Sequence, residues 1–278
     1  RYVHVYLHLR ISGSNKVSKR DAKSMLRKML TVGAIAMTIA AGAASADDTE
    51  LHQAWDDLLG TYVVPGDDGV NRFDYGALKT NAADSAKLDA YLEHFADFDV
   101  ETLDENEQFA AYSNIYNALT VQYIVGEYPT KSIRSGYIVG PWKKVFTTIN
   151  GEKVSLDHIE HQILRVEWDD PRVHYAVNCA AFSCPNLQTD AWFGETLDED
   201  LDTAARAYVN DPRGVTIRRN GTLQVSTIYK WFREDFGGSN DGVIDHLLEY
   251  AEPELATQIQ AKRRITKHEY DWDLNDVE

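Results

Sequence analysis

From residue 50 onward the apolar positions first recur at helical spacing. In "TELHQAWDDLLGTYV", Leu51, Trp55, Leu58 and Leu59 fall on one side of a helix. "DSAKLDAYLEHFADF" repeats the pattern with Leu88, Tyr91, Leu92 and Phe95. The longest such run, "DENEQFAAYSNIYNALTVQYIVGEY", has Asp104 as its cap, an acidic first turn, and Gly126 and Pro129 as its stop. It is apolar almost all round, from Phe109 through Ile115 and Leu119 to Ile124, which predicts a central, buried helix. Yet it carries Asn114 and Asn117, about one turn apart. A buried amide left without a partner costs about 1–3 kcal/mol, so both must hold something. Pinning of nearby loop backbone is the simpler use, and orientation of an active-site group by Asn117 is the other.

After that helix the period changes. "KVFTTINGEKVSL" and "GVTIRRNGTLQVS" place Asn150-Gly151 and Asn220-Gly221 between short β-branched runs, which predicts two hairpins with type I′ turns. Between them "SLDHIEHQILRVEW" reads as a helix capped by Ser155, and "RVHYAVNCA" as a short buried strand ending near Cys179. Further helices are expected over 196–209, 227–236, 241–251 and 253–262. Helices mixed with hairpins, without βαβ alternation, predict an α+β fold. The expectation is a single mixed domain over 47–278: a long buried central helix, a small mostly antiparallel sheet, and several surrounding helices.

The first 46 residues stand apart. Arg27 and Lys28 precede an apolar run from Met29 to Ala41, and Ala44-Ser45-Ala46 offers a small-residue cleavage site, so 25–46 reads as a secretory signal. The run is broken by Gly33 and Thr38 and falls short of the ~20 residues a spanning helix needs, so no stable membrane span is expected after cleavage. Residues 1–24 precede Met25 and read as an upstream extension. The expected location is exported, in the periplasm of a Gram-negative cell. Residues 1–46 hold eight of the 28 Lys and Arg but one of the 44 Asp and Glu. The remainder has 20 basic and 43 acidic residues, a formal charge of −23, which excludes nucleic-acid binding.

The chain has two cysteines, both in "RVHYAVNCAAFSCPNL". In an exported protein Cys179 and Cys184 are permitted to bridge, although so short a loop stabilises by about 2 kcal/mol or less. A metal site using His174 with His158 or His161 ranks last, because no second cysteine pair exists and H-x-x-H lacks the spacing of H-E-x-x-H. The third reading is a nucleophilic thiol beside a histidine base. On a regular strand His174 and Cys179 would face opposite ways, so the spacing does not choose between Cys179 and Cys184. Arg172, just before the strand, is a cation suited to a thiolate or a substrate anion.

"YSNIYNALTV", "SLDHIEHQILR", "DPRVHYAVNCAAFSCPNL", "STIYKWFREDF" and "YDWDLN" occur in the order found in the domain of unknown function 547 family, which the chain resembles over about residues 50 to 276. The resemblance implies that Asn117, Glu160, His161, Arg172, His174, Cys179, Cys184, Asp271 and Trp272 recur. It brings no established activity. Tyr270, Trp272 and Leu274 in the terminal segment predict that it packs back, bringing Asp271 toward the histidines. The leading expectation is an exported thiol hydrolase or acyltransferase acting on an amide or thioester. Cys179 or Cys184 would attack, His174 would be base, and Asn117 or Asp271 would orient it. Arg172, Glu160, His161 and Asn114 would bind substrate, a small molecule or peptide, with neither metal nor cofactor. The alternative is a non-catalytic binding domain with a structural or exchangeable Cys179–Cys184 bridge.

Overall fold

The computed structural model describes residues 45–277, and the secretory-signal segment apart from its last two residues lies outside that range. Helix α1 (Ser45–Tyr62) leads into a two-stranded antiparallel ribbon, β1 (Val63–Pro65) with β2 (Asn71–Phe73). Two helices follow, α2 (Tyr75–Thr80), capped by Asp74, and α3 (Ala82–His94), capped by Asn81. The central helix α4 spans Glu105–Glu127, and the Asp104 carboxylate accepts the N–H groups of Asn106 and Glu107, as its sequence predicts. Its buried residues include Phe109, Ile115, Leu119 and Ile124. It packs against α1, α2, α3 and the helices that follow, so it is the axis of the core.

An irregular segment with a cis Tyr128–Pro129 bond connects α4 to the second ribbon, β3 (Phe146–Ile149) with β4 (Glu152–Ser155). There Asn150 and Gly151 both adopt positive φ, 49° and 76°, the requirement of a type I′ turn. The second Asn-Gly behaves differently. β5 (Val215–Ile217) and β6 (Leu223–Ser226) pair as a hairpin, but of the two turn residues Gly221 has positive φ and Asn220 does not. Gly221 donates to the Arg218 carbonyl and Arg218 to the Thr222 carbonyl, so the loop is a wider turn closed by a left-handed glycine. The Asn220 side chain is occupied with Thr222 instead. The third strand of this sheet, β7 (Ile265–Glu269), lies parallel to β6. Among the described residues the strands thus form three small sheets around a mainly helical α+β body.

Ser155 caps the next helix, accepting from His158 N–H at 3.1 Å. The helix is not uniform: an α turn, α5 (Leu156–His158), passes into a π-helical stretch, Ile159–Leu164, and ends in α6 (Arg165–Glu167). The predicted strand "RVHYAVNCA" is a correction. Val173–Ala176 is a helical turn, α7, and the chain becomes extended at Val177. Asp170-Pro171 explains the difference. The Asp170 carboxylate accepts the Arg172 N–H, the Pro171 carbonyl accepts that of His174, and proline pre-sets the backbone for a helix start. Turn chemistry overrides the β-branched pattern here. Helices α8 (Leu197–Val209), α9 (Ile228–Trp231), α10 (Asn240–Tyr250) and α11 (Pro253–Lys262) complete the body. The helix expected over 227–236 is regular for those four residues of α9 alone.

Candidate active site

The sequence between α7 and α8 forms the floor of a cleft of about 360 Å³. Asn117 on α4 sets its position. Its amide donates to the Ala176 carbonyl at 2.9 Å and its oxygen accepts the Asn178 N–H at 2.7 Å. Asn178 in turn accepts from the Ala180 N–H at 2.7 Å and donates to the Pro185 carbonyl at 2.8 Å, closing the loop upon itself. Ala180 takes φ 59° at the turn, and Cys184 donates its N–H to the Ala181 carbonyl. Outside the loop, Arg213 donates to the Phe182 and Cys184 carbonyls and Tyr208 to that of Ser183.

This bracing brings the two sulfurs together. Neither cysteine is bridged, and their Sγ atoms lie 2.6 Å apart. The Tyr270 hydroxyl is 3.3 Å from Cys179 Sγ and 3.1 Å from Cys184 Sγ. Cys184 is buried, while Cys179 is partly open to the cleft. Burial works against a charge on Cys184, but hydrogen bonds from the Cys179 thiol, Tyr270 and backbone N–H groups outweigh it and lower its thiol below the ordinary value. Cys179 is raised, first through its bond to Cys184 and then through burial. Of the two sulfurs, Cys184 is therefore the one on which negative charge is favoured. Burial and the charge of the two sulfurs keep Tyr270 protonated, so it donates.

The cleft wall opposite carries Glu160 and His161 from the π-helical stretch, with His174 from α7. The extra residue per turn in a π segment turns its side chains away from α register, and such segments gather at functional sites. Glu160 is buried, accepts from Tyr116 at 3.1 Å, and lies 3.8 Å from His161 Nδ1. Burial raises its carboxyl above the usual range. His174 Nε2 is 2.7 Å from Asp235 Oδ2, and its ring stacks on Phe232 at 4.1 Å. Burial lowers the His174 pKa. Burial also opposes the Asp235 charge, but bonds from His174 and Arg165 win and hold that carboxyl well below its usual value. Neutral His174 therefore donates Nε2–H to ionised Asp235, which leaves Nδ1 as the basic atom.

Of the residues singled out from the sequence, Cys179, Cys184, His174, Glu160, His161 and Trp272 meet in this cleft. The others are placed elsewhere. Asn114 grips the Trp192 backbone at both N–H and carbonyl, and Asn117 holds backbone rather than an imidazole. Arg172 is surrounded by Asp170, Asp198 and Asp202, each 2.8 Å away, and does not line the cleft. Asp271 joins the loop through main chain, its N–H donating to Ser183 Oγ and its carbonyl accepting from Ser183. His158 is exposed and outside the cleft. Among the described residues no group of three or more His, Cys, Asp and Glu is arranged to hold a metal ion. Sequence reasoning missed Asp235 as the partner of His174 and Tyr270 as the partner of the sulfurs. Both lie in quoted motifs, "STIYKWFREDF" and "YDWDLN", where no spacing rule assigned them a role.

The fold and this cleft define an α+β protein with an adjacent, unbridged cysteine pair on the floor of a partly aromatic pocket. Residues 100–209 match the family model described as "Protein of unknown function, DUF547", and the chain carries a domain of that family. The match holds both cysteines, His174 and the π-helical stretch, while Asp235, Tyr270 and Trp272 lie beyond it. No curated protein and no solved structure matches the chain.

Proposed function

We propose that this is an exported thiol protein whose cysteine pair exchanges with disulfides, acting as a dithiol–disulfide oxidoreductase. The observation that carries the reading is the contact of the two free sulfurs, with the Tyr270 hydroxyl on both. The sulfurs are in hydrogen-bond contact with each other and with Tyr270, and His174 is turned by Nε2 to Asp235. An exported location, as the sequence of residues 25–46 implies, would supply disulfide substrates.

Exposure assigns the order of events. Cys179 passes its proton toward the cleft and its thiolate attacks one sulfur of R–S–S–R′, releasing R′SH and leaving a Cys179–S–S–R mixed disulfide. Cys184, the lower of the two in pKa, then attacks the Cys179 sulfur and releases RSH. The chain ends bridged, the substrate disulfide ends as two thiols, and the two protons of the dithiol leave on them. Tyr270 donates to whichever sulfur carries charge.

Cys184→Ser tests this. Incubated with a peptide disulfide, it should accumulate a mixed disulfide at Cys179, read by intact-mass spectrometry, whereas Cys179→Ser should not. Wild type should end with the internal bridge. Failure of both variants to trap any adduct, with wild type unreactive, would sink the proposal. A second reading keeps the thiol and changes the chemistry. His174 lines the same cleft, and its Nε2 contact with Asp235 leaves Nδ1 as a base, which favours the acyl-transfer expectation. It predicts turnover of thioesters that Cys184→Ser leaves intact.

A further inference from the structure

The reactive sulfurs are joined to the mouth of the cleft by aromatic surface. Tyr270, whose hydroxyl meets both sulfurs, packs on Trp231 and Trp272 with centroids 4.9 and 4.6 Å away. Trp272 packs on Trp231 at 5.5 Å and on Trp142 at 5.7 Å. Trp231 is 47% exposed, although a tryptophan is the side chain with most to gain from burial. Beside it the segment between α4 and β3 presents Ile138 and Val139, 90% and 78% exposed, and Val139 lines the cleft. Among the described residues six large apolar side chains are markedly exposed, and three of them are Ile138, Val139 and Trp231. Val139 and Trp231 line the same cleft, and exposed apolar surface gathered in this way marks an interaction surface.

The charges narrow the occupant. Arg134 is the one Lys or Arg among the lining residues, and it is engaged, its guanidinium 4.8 Å over Trp272 and donating to the Ile138 carbonyl. Asp157 and Glu160 face the same space, within a chain of formal charge −16. A small anionic disulfide would meet carboxylates and no free cation.

Resting on the exchange reading above, we infer that the substrate is a polypeptide cysteine with an aromatic or large apolar neighbour, docked on the Trp231–Trp272 wall of the cleft that Val139 also lines. The backbone of such a peptide passes along the aromatic face while its disulfide reaches Cys179. Stacking on an exposed tryptophan then supplies binding that a small hydrophilic disulfide lacks.

The test uses the reduced chain and three coloured mixed disulfides of thionitrobenzoate: the peptides Gly-Trp-Cys-Gly and Gly-Gly-Cys-Gly, and glutathione. Thionitrobenzoate release should be at least tenfold faster from the tryptophan peptide than from the glycine peptide, and slowest from the glutathione adduct. Trp231→Ala should bring the two peptides within about twofold of each other. The double variant Ile138→Ser, Val139→Ser changes positions open to solvent, so it keeps the test alive if Trp231→Ala misfolds. It should at least halve the tryptophan preference. Equal rates for the two peptides, or a glutathione adduct as fast as the tryptophan peptide, overturn the substrate class and leave the exchange reading standing. If none of the three reacts faster than free cysteine at the same pH, the exchange reading fails and this inference with it.

Discussion

Asn117 braces the cysteine loop from α4 and Glu160 lines the cleft from the π-helical stretch, and their environments give opposite predictions. Asn117 is fully occupied by Ala176 and Asn178, so its loss strands the buried Asn178 N–H and leaves the Ala176 carbonyl with the Trp192 indole N–H alone. Asn117→Ala should destabilise by about 1–3 kcal/mol in urea unfolding, with faster alkylation of the cysteines in the native protein. Equal alkylation would mean the loop holds its shape without that brace. Glu160 is buried for other reasons. Burial raises its carboxyl above 4.5, so the folded chain retains a proton over a window in which the unfolded chain has lost it. Stability from this group therefore falls as pH rises from about 4.5 through the folded value. Glu160→Gln removes that dependence: melting temperatures should coincide with wild type near pH 4 and exceed it at pH 7. The same change removes a negative charge that helps raise Cys179, so thiol alkylation should titrate at lower pH than in wild type. A variant less stable at pH 7, with unmoved thiol titration, would show that Glu160 is held charged by partners rather than strained by burial.

The elements show how far the sequence reaches and where it stops. Asp104, Ser155 and the all-round apolar face of α4 were legible because a cap and a buried helix are local properties. Asn150-Gly151 was legible for the same reason, since both residues of that turn need positive φ. Asn220-Gly221 has the same letters, but Arg218 and Thr222 close a wider loop around it. The alternation of Val173, Tyr175 and Val177 suggests a strand, but the segment is the helical turn α7 because the geometry of Asp170-Pro171 decides the backbone. The difference matters for the site. Strand alternation set His174 and Cys179 on opposite faces, whereas a helical turn ending at Val177 brings both to one cleft. The partners Asp235 and Tyr270 were illegible, being 61 and 91 residues from His174 and Cys179. The π-helical stretch leaves no signature in an apolar pattern that suits an α-helix equally well. It carries one residue more than an α-helix of the same rise, so deleting exposed Gln162 should restore α register and turn Glu160 and His161 relative to the sulfurs. Circular dichroism should stay helical while peptide-disulfide exchange falls at least tenfold. Unchanged exchange would show that the π turn is incidental to the cleft.

At the scale of the whole molecule, the reactive loop is held from both ends of the described chain. After β7 the last residues run back across the cysteine loop rather than into solvent. Phe182 donates to the Asp273 carbonyl at 2.7 Å, Ser183 to that of Asp271 at 3.2 Å, and Asn275 to that of Ala180 at 3.1 Å. Leu274 bridges Ala181 in antiparallel fashion and donates to Lys131. Asn275 is buried, takes the Phe73 N–H from β2 on its carbonyl, and accepts the Tyr75 hydroxyl at 2.7 Å on its side chain. The segment thus ties the early ribbon, the segment after α4 and the cysteine loop into one unit. Its removal separates global stability from local order at the site. Deleting residues 271–278 keeps Tyr270 and leaves the core around α4 intact, but it strips Ala180, Phe182 and Ser183 of their partners. The truncated chain should unfold at lower urea with most of its helical signal intact beforehand. In native buffer its two cysteines should alkylate at nearly the rate seen in denaturant, because the loop opens without the rest of the fold. Full protection of both thiols after truncation would place the hold on the loop in Asn117, Asn178 and Arg213 alone, and would reduce the tail to a wall of the cleft.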